Sequence, residues 1–253
     1  MSDKPKISVC IPAYGMNGLG ATYLEESFRT LAKQTLNDFE IIVSDQSENN
    51  DVMEMCGVWR DRLPLRHYWN LDGKRQAAAN VNHALGKARG PIYKVLFQDD
   101  FMLSETVLQD IVDAFKDQKV MWLLTGSGIT RDGKVIERPM VPHLTPKLHF
   151  GKNMVSSPSV LAFRASCERW FDEDLIWLMD VDIYARLWQD YGDPVILPET
   201  LVANRLHANQ VSQKIDRTIQ KRELDYILKK FASSTQMSGY LEYAKRRAKT
   251  IFH

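Results

Sequence analysis

Strand-like and helix-like segments alternate along this chain, and that order narrows the fold more than any other feature. Ile7-Ser8-Val9-Cys10-Ile11 is rich in β-branched residues and stops at Pro12, which reads as a first strand. Residues 24–34 place Leu24, Phe28, Leu31 and Ala32 near helical spacing. Phe39-Glu40-Ile41-Ile42-Val43 reads as a second buried strand, followed by a polar loop over 44–51. The Ala-rich stretch 76–88 reads as a helix that ends at Gly90-Pro91. Residues 92–97 form a third strand that runs directly into Gln98-Asp99-Asp100. A helix over 104–116 with Ser104 as N-cap, a strand over 120–124 and an Asp132-Gly133 turn come next. An irregular stretch over 139–158, a short strand over 160–163 and a helix over 178–191 complete the body. Strands separated by helices pair in parallel and are covered on both faces, so the expected fold class is α/β with a mostly parallel central sheet.

Composition limits the rest. Of 253 residues, 44% are hydrophobic and 26% charged, which excludes a disordered chain and a small disulfide scaffold. Cys10, Cys56 and Cys167 are odd in number and lack a CxxC pair, so neither a disulfide framework nor a zinc site is expected. No apolar run is long enough to cross a bilayer, and MSDKPKISVC lacks a signal-peptide core; a cytoplasmic location is the expectation. The net charge of +1 is uneven. Residues 214–253 carry ten basic and four acidic side chains, against 23 and 28 in the body. The expected organisation is therefore a domain over 1–213, with halves of about 1–103 and 104–213, and a basic amphipathic helical appendix over 214–253. The acidic body argues against nucleic acid. The tail suits an anionic membrane surface or, equally, a self-packing or homodimer-forming helix.

In open α/β sheets ligands bind beyond the carboxyl ends of the strands, which selects the loops at 12–20, 44–51 and 98–101. The first holds Gly15, Gly18 and Gly20 but matches neither GxGxxG nor GxxxxGK[ST]. Asp99-Asp100 follow a buried strand, where adjacent carboxylates repel and each is costly to ionise. A divalent cation, Mn²⁺ or Mg²⁺, would relieve that cost; a helix-capping acidic loop is an even alternative. In Asp180-Val181-Asp182, positions two apart on a helix point roughly 200° apart. Asp182 has Arg186 four residues on as an ion-pair partner, which makes Asp180 the better candidate for a general base, with a helix-surface aspartate as the alternative. His207, in a polar loop after a Pro198-bounded strand, is an acceptable third ligand for Mn²⁺. Trp170, Trp177 and Trp188 suit core packing more than sugar stacking.

Together these pieces resemble family-2 inverting glycosyltransferases of the GT-A fold, from about residue 7 to 212. Ile7 to Tyr14 resembles that family's opening strand, whose end (Pro12, Ala13, Tyr14) lies over the donor base. The segment ending in Asp45 resembles the one whose aspartate contacts the nucleoside. Residues 73–90, with Asn82, leading into Gln98-Asp99-Asp100, resemble the stretch before the DXD element. Met179-Asp180 matches the Glu-Asp pair whose Asp is the catalytic base, and Arg205-Leu206-His207 with Asn209 and Ser212 resembles the late R-x-H loop. Phe97, Met179 and Gln46 stand where the family often carries Asp, Glu and Asp.

The resemblance implies a donor that is a UDP-, dTDP- or GDP-linked sugar, with its pyrophosphate on a cation held by Asp100 and His207. It implies Asp99 at the ribose or the metal, and Lys74 or Arg75 at the diphosphate. Asp180 would deprotonate a hydroxyl of a glycan or lipid-linked acceptor near 139–158, in bacterial surface-polysaccharide synthesis peripheral to the membrane. Two other readings are a catalytically silent GT-A-like nucleotide-sugar or glycan-binding module and a nucleotidyltransferase. The latter is disfavoured because Met16-Asn17-Gly18-Leu19-Gly20 carries no cation for a triphosphate.

Overall fold

The computed structural model describes residues 4–207, 210 and 215–252. The sequence-read N-terminal strands form a parallel set. β1 (Ile7–Ala13) lies between β2 (Phe39–Asp45) and β4 (Ile92–Val95), and β3 (Leu65–Trp69) flanks β2. Every residue of β1 and β2 is buried, as expected of strands covered on both faces. Helices α1 (Gly20–Leu31), α2 (Asp51–Trp59) and α3 (Ala77–Lys87) make the crossovers. Neither α2 nor β3 is foreseen by the sequence reading: α2 starts within the polar stretch, and β3 is polar at most positions (Arg66, His67, Tyr68).

Beyond β4 the sheet becomes mixed. β8 (Leu161–Arg164) runs antiparallel to both β4 and β6 (Trp122–Thr130), while β9 (Val195–Arg205) is parallel to β6. The two-residue β5 (Phe101–Met102) edges β9, and β7 (Glu137–Met140) pairs with β6. The order β3-β2-β1-β4-β8-β6-β9-β5 sets the carboxyl ends of β1, β2 and β4 beside the carboxyl end of β9. Asp45, Asp99-Asp100 and Arg205 follow or end those strands.

Helix α4 (Val107–Ala114) buries Val107, Leu108 and Ile111, but its N-cap is Thr106 and not Ser104, whose Oγ instead accepts the Thr106 N–H at 3.2 Å. Helix α5 (Met179–Tyr191) begins at the candidate base. The tail contains α6 (Arg217–Lys230) and α7 (Met237–Phe252). The expectation of an appendix is corrected for α6: Leu224, Ile227 and Phe231 belong to the same buried cluster as Leu178, Val181 and Ile183. Glu223 is fully buried as well. Asn209, Ser212 and the start of the tail at Lys214 fall outside the described residues.

Candidate active site

A cavity of about 950 Å³ opens where these strand ends converge. One wall starts at Pro12 and Tyr14. The Tyr14 N–H donates to Gln98 Oε1 at 2.5 Å, and Gln98 Nε2 donates to the Tyr14 carbonyl at 2.9 Å. The loop after β1 is thereby bound to the loop after β4. Gly20 lies against the same join: a Cβ there would stand 2.1 Å from the Tyr14 carbonyl oxygen. Ala13 is fully buried and offers only its carbonyl, which accepts from Gln46 N–H and Asn80 Nδ2, each at 2.9 Å.

Asp45 is buried away from the cavity lining. Its Oδ1 accepts the Ser47 N–H at 2.8 Å and its Oδ2 is 2.9 Å from His67 Nε2. The carboxylate thus shapes the loop whose Gln46, Ser47, Glu48 and Asn49 face the cavity, and is not itself among the lining residues. Asn82 is likewise turned elsewhere. It accepts the Phe171 N–H at 2.8 Å and donates to the Phe171 carbonyl and Glu173 Oε1, tying α3 to the 171–173 loop. Asn80, two residues earlier on α3 and on the other face, is the one that lines the cavity. It accepts from Ser44 Oγ at 2.6 Å and from Asn70 Nδ2 at 3.2 Å. Its buried neighbours in the middle of a helix were the available signal.

Of the adjacent cations, Arg75 lines the cavity and pairs with Glu48 Oε1 at 2.7 Å. Lys74 points to Asp174 Oδ1 at 2.9 Å.

Asp99 and Asp100 both line the cavity. Asp100 Oδ1 accepts the Arg205 N–H at 3.0 Å, and its Oδ2 accepts from Ser157 Oγ at 3.1 Å. Burial, reinforced by Asp99, raises the Asp100 carboxyl above the ordinary carboxylate range. Lys94, fully buried on β4, is pushed down to about 7 by burial, with Asp100 opposing that shift. Its ammonium donates to the Ser159 carbonyl. His207 Nε2 lies 3.0 Å from Asp99 Oδ2 with its ring 5.2 Å from Tyr23, so it supports Asp99 and does not line the cavity beside Asp100. Arg205 is buried between the rings of Tyr23 and Phe101, paired with Glu26, and bonded through Nε to the Asp99 carbonyl at 3.2 Å.

Among the described residues no group of three or more His, Cys, Asp or Glu side chains forms a metal cage. The Asp100 carboxylate, buried and disfavoured as an anion, fits instead a hard cation that completes its shell with substrate phosphates and water.

The opposite wall carries Trp177, Met179, Asp180 and Ser157. Asp180, in the first turn of α5, accepts the Val181 N–H on Oδ1 and Asn153 Nδ2 on Oδ2, each at 2.7 Å. Desolvation pushes its carboxyl up to about 6. Asn153 is itself fixed, its Oδ1 accepting the Val155 and Ser156 N–H groups at 2.8 and 3.1 Å. Ser156 follows with φ of 104°, a costly conformation for a non-glycine residue that turns the 153–157 loop toward the cavity. Asn153 has no sequence signature, since its partner lies 27 residues away. Asp182 behaves as the spacing predicts: it is buried and paired with Arg186 at 2.7 Å. Trp170 is exposed, and Trp188 packs on the core.

The fold is that of GT-A glycosyltransferases. Staphylococcus aureus TarS (residues 1–349, with UDP-GlcNAc) superposes with a TM-score of 0.72 at 17% identity, over 97% of this chain and 71% of that one. The mannosyltransferase PcManGT of Pyrobaculum calidifontis, in complex with GDP-Man and Mn²⁺, gives 0.65 at 15%, over 98% and 70%. The family model Glycosyl transferase family 2 matches residues 8–179, and the chain belongs to that family. A GalNAc(5)-diNAcBac-PP-undecaprenol beta-1,3-glucosyltransferase of Campylobacter jejuni is 24% identical over 53% of this chain and 47% of its own length. The chain thus spans about half of that relative. The putative colanic acid biosynthesis glycosyl transferase WcaA of Escherichia coli K12 is 22% identical over 87% of this chain and 79% of that one.

Proposed function

We propose that this protein transfers a sugar from a nucleotide-diphosphate sugar to a hydroxyl of a glycan or lipid-linked acceptor, with inversion at the anomeric carbon. The observation that carries this reading is that Asp100 and Asp180 line one cavity from opposing loops, each with its ionised form disfavoured. The nucleotide is bound between the 12–15 and 46–49 loops, with Asn80 holding the backbone that joins them and Arg75 toward the diphosphate. Asp99, oriented by His207, is directed at the ribose. Asp100 would hold the divalent cation, Mn²⁺ or Mg²⁺, which supplies charge stabilisation for the departing diphosphate.

On the acceptor side, Asp180 removes the proton of the attacking hydroxyl. A base whose pKa is near 6 is ionised at neutral pH yet basic enough to accept a proton as the bond forms. Asn153 and the Val181 N–H hold both carboxylate oxygens, which fixes the direction of attack. A single base and a single displacement invert the anomeric centre, unlike the paired carboxylates of glycoside hydrolysis.

The lipid-linked acceptor draws support from the relative named for an undecaprenol-linked substrate. Helix α7 exposes Met237 and Leu241, and Lys229, Lys245 and Lys249 are exposed, whereas Lys230, Arg246 and Arg247 are paired with acidic partners. No helix among the described residues is long and apolar enough to cross a membrane. We assign the tail to the cytoplasmic face of an anionic membrane, where such an acceptor is presented.

The test is nucleoside diphosphate release from UDP-GlcNAc, UDP-glucose, dTDP-glucose and GDP-mannose, with and without Mn²⁺, for wild type and Asp180→Asn. Anomeric configuration of the product is read by NMR. Transfer undiminished in Asp180→Asn, or a retained configuration, would overturn the assignment.

A further inference from the structure

The loop that delivers Asp180 is held from outside its own half of the sheet. Glu223, on α6, is fully buried and accepts three successive backbone N–H groups. Its Oε1 accepts from Ile176 at 2.7 Å, and its Oε2 accepts from Trp177 and Leu178 at 2.9 Å each. These amides immediately precede α5, so without Glu223 they would be orphaned donors at a helix N-terminus. A carboxylate is matched to such a site, because charge-assisted bonds to convergent N–H groups are about twice as strong as neutral ones.

Two further residues of α6 reach the same segment with the spacing of one helical stripe. Tyr226 donates to Asp172 Oδ2 at 2.8 Å. Lys230 pairs with Asp172 at 2.5 Å and with Asp182 at 2.7 Å. The segment 172–182 is therefore tied to α6 at both ends and at its middle. Four of its residues, Ile176, Trp177, Met179 and Asp180, line the cavity.

We infer that Glu223 is a positioning residue for the transfer reaction: by gathering the 176–178 amides it fixes the direction in which Asp180 enters the cavity. The inference rests on the assignment of Asp180 as the base. Its geometry gives a reason for α6 to be packed into the same buried cluster as α5. The charged or titratable groups around this arrangement are Glu223 with Arg222 paired to its Oε1 at 3.3 Å, both from α6, Tyr184 and Asp182 from α5, and Asp100 on the same cavity, with neutral Asn153 from the 153–157 loop. Of these, Glu223 raises the Asp180 pKa by its charge.

Glu223→Gln preserves shape but presents an NH₂ to at least one of the three amides. With the donor that the panel above identifies, this variant is expected to lower kcat about tenfold or more, since a displacement of about 1 Å can cost 10²-fold. UDP affinity, read by calorimetric titration, changes less than about twofold, within ~0.4 kcal/mol. The acid limb of the kcat profile moves to lower pH, because one negative charge near Asp180 is gone. Glu223→Asp keeps the charge and shortens the reach, so kcat falls while the acid limb stays in place. In hydrogen exchange, the 176–178 amides lose protection in Glu223→Gln while β1 and α3 keep theirs.

Wild-type kcat and an unmoved acid limb in Glu223→Gln would overturn the inference, as would rapid exchange of those amides in the wild-type protein, which decides the matter should the variants not fold. Failure of the base assignment is seen separately, as undiminished transfer by Asp180→Asn.

Discussion

Gln98 satisfies both backbone polar groups of Tyr14, accepting its N–H at 2.5 Å and donating to its carbonyl at 2.9 Å. One side chain thereby makes the loops after β1 and β4 a single rigid wall. Gln98→Leu leaves both backbone groups unpaired in a site that is almost wholly buried. Loss of about 1–3 kcal/mol of stability is expected, with weaker UDP binding, measured by thermal unfolding and calorimetric titration.

Gly20→Ala attacks the same wall from the other side. The added methyl meets the Tyr14 carbonyl oxygen at 2.1 Å, a backbone atom that cannot swing away. The expected cost is about 1–3 kcal/mol, with UDP affinity falling by more than it does for a surface Gly57→Ala control, which has open space.

Asp180, as the proposed base, is expected to set the pH dependence of transfer. Its carboxyl is pushed up to about 6, so the transfer rate should rise as pH passes through about 6 and level off above it. Asp180→Asn is expected to lower kcat by about 10²–10⁴ while leaving UDP affinity nearly unchanged. The sign for stability is opposite. A carboxyl raised on folding costs stability that appears as pH climbs from 3.8 toward 6, so at pH 7.5 the wild type bears all of it and the Asn variant none. A higher Tm in Asp180→Asn at pH 7.5, and little difference at pH 4, checks this.

Asp100 is expected to make cation and nucleotide binding depend on one another. With few protein donors around it, Mn²⁺ alone binds weakly, and UDP improves that affinity by about 5–150-fold. Asp100→Asn should abolish the enhancement and also raise Tm at pH 7.5. Calorimetric titration of Mn²⁺ with and without UDP reads the coupling directly, and EDTA should remove it in the wild type.

The sequence made legible what is local and periodic. Ile7–Ala13 and Phe39–Asp45 announce themselves because consecutive burial on both faces leaves few polar positions. Asp180 separates from Asp182 by helix geometry alone, and Arg186 pairs with Asp182 as that geometry requires. What was not legible is set by distance along the chain. Asn153 meets Asp180 across 27 residues and Gln98 meets Tyr14 across 84, and neither pairing leaves a local pattern. The resemblance points to Asn82, yet Asn80 lines the cavity; sequence does not say which face of α3 looks into it, and packing against Ser44 and Ala13 decides it. Asp45 and His207 are the right residue types at the right strand ends, yet each is satisfied by a neighbour, His67 and Asp99 respectively.

The bond from Glu223 to the Ile176, Trp177 and Leu178 amides also orders events during synthesis. Those amides leave the ribosome 45 to 47 residues before the carboxylate that receives them. Ser157 and Ser159, which hold Asp100 and Phe97, and the strands β8 and β9 are all made before α6. The loop that carries Asp180 therefore cannot take up its final hydrogen bonding until α6 has been made.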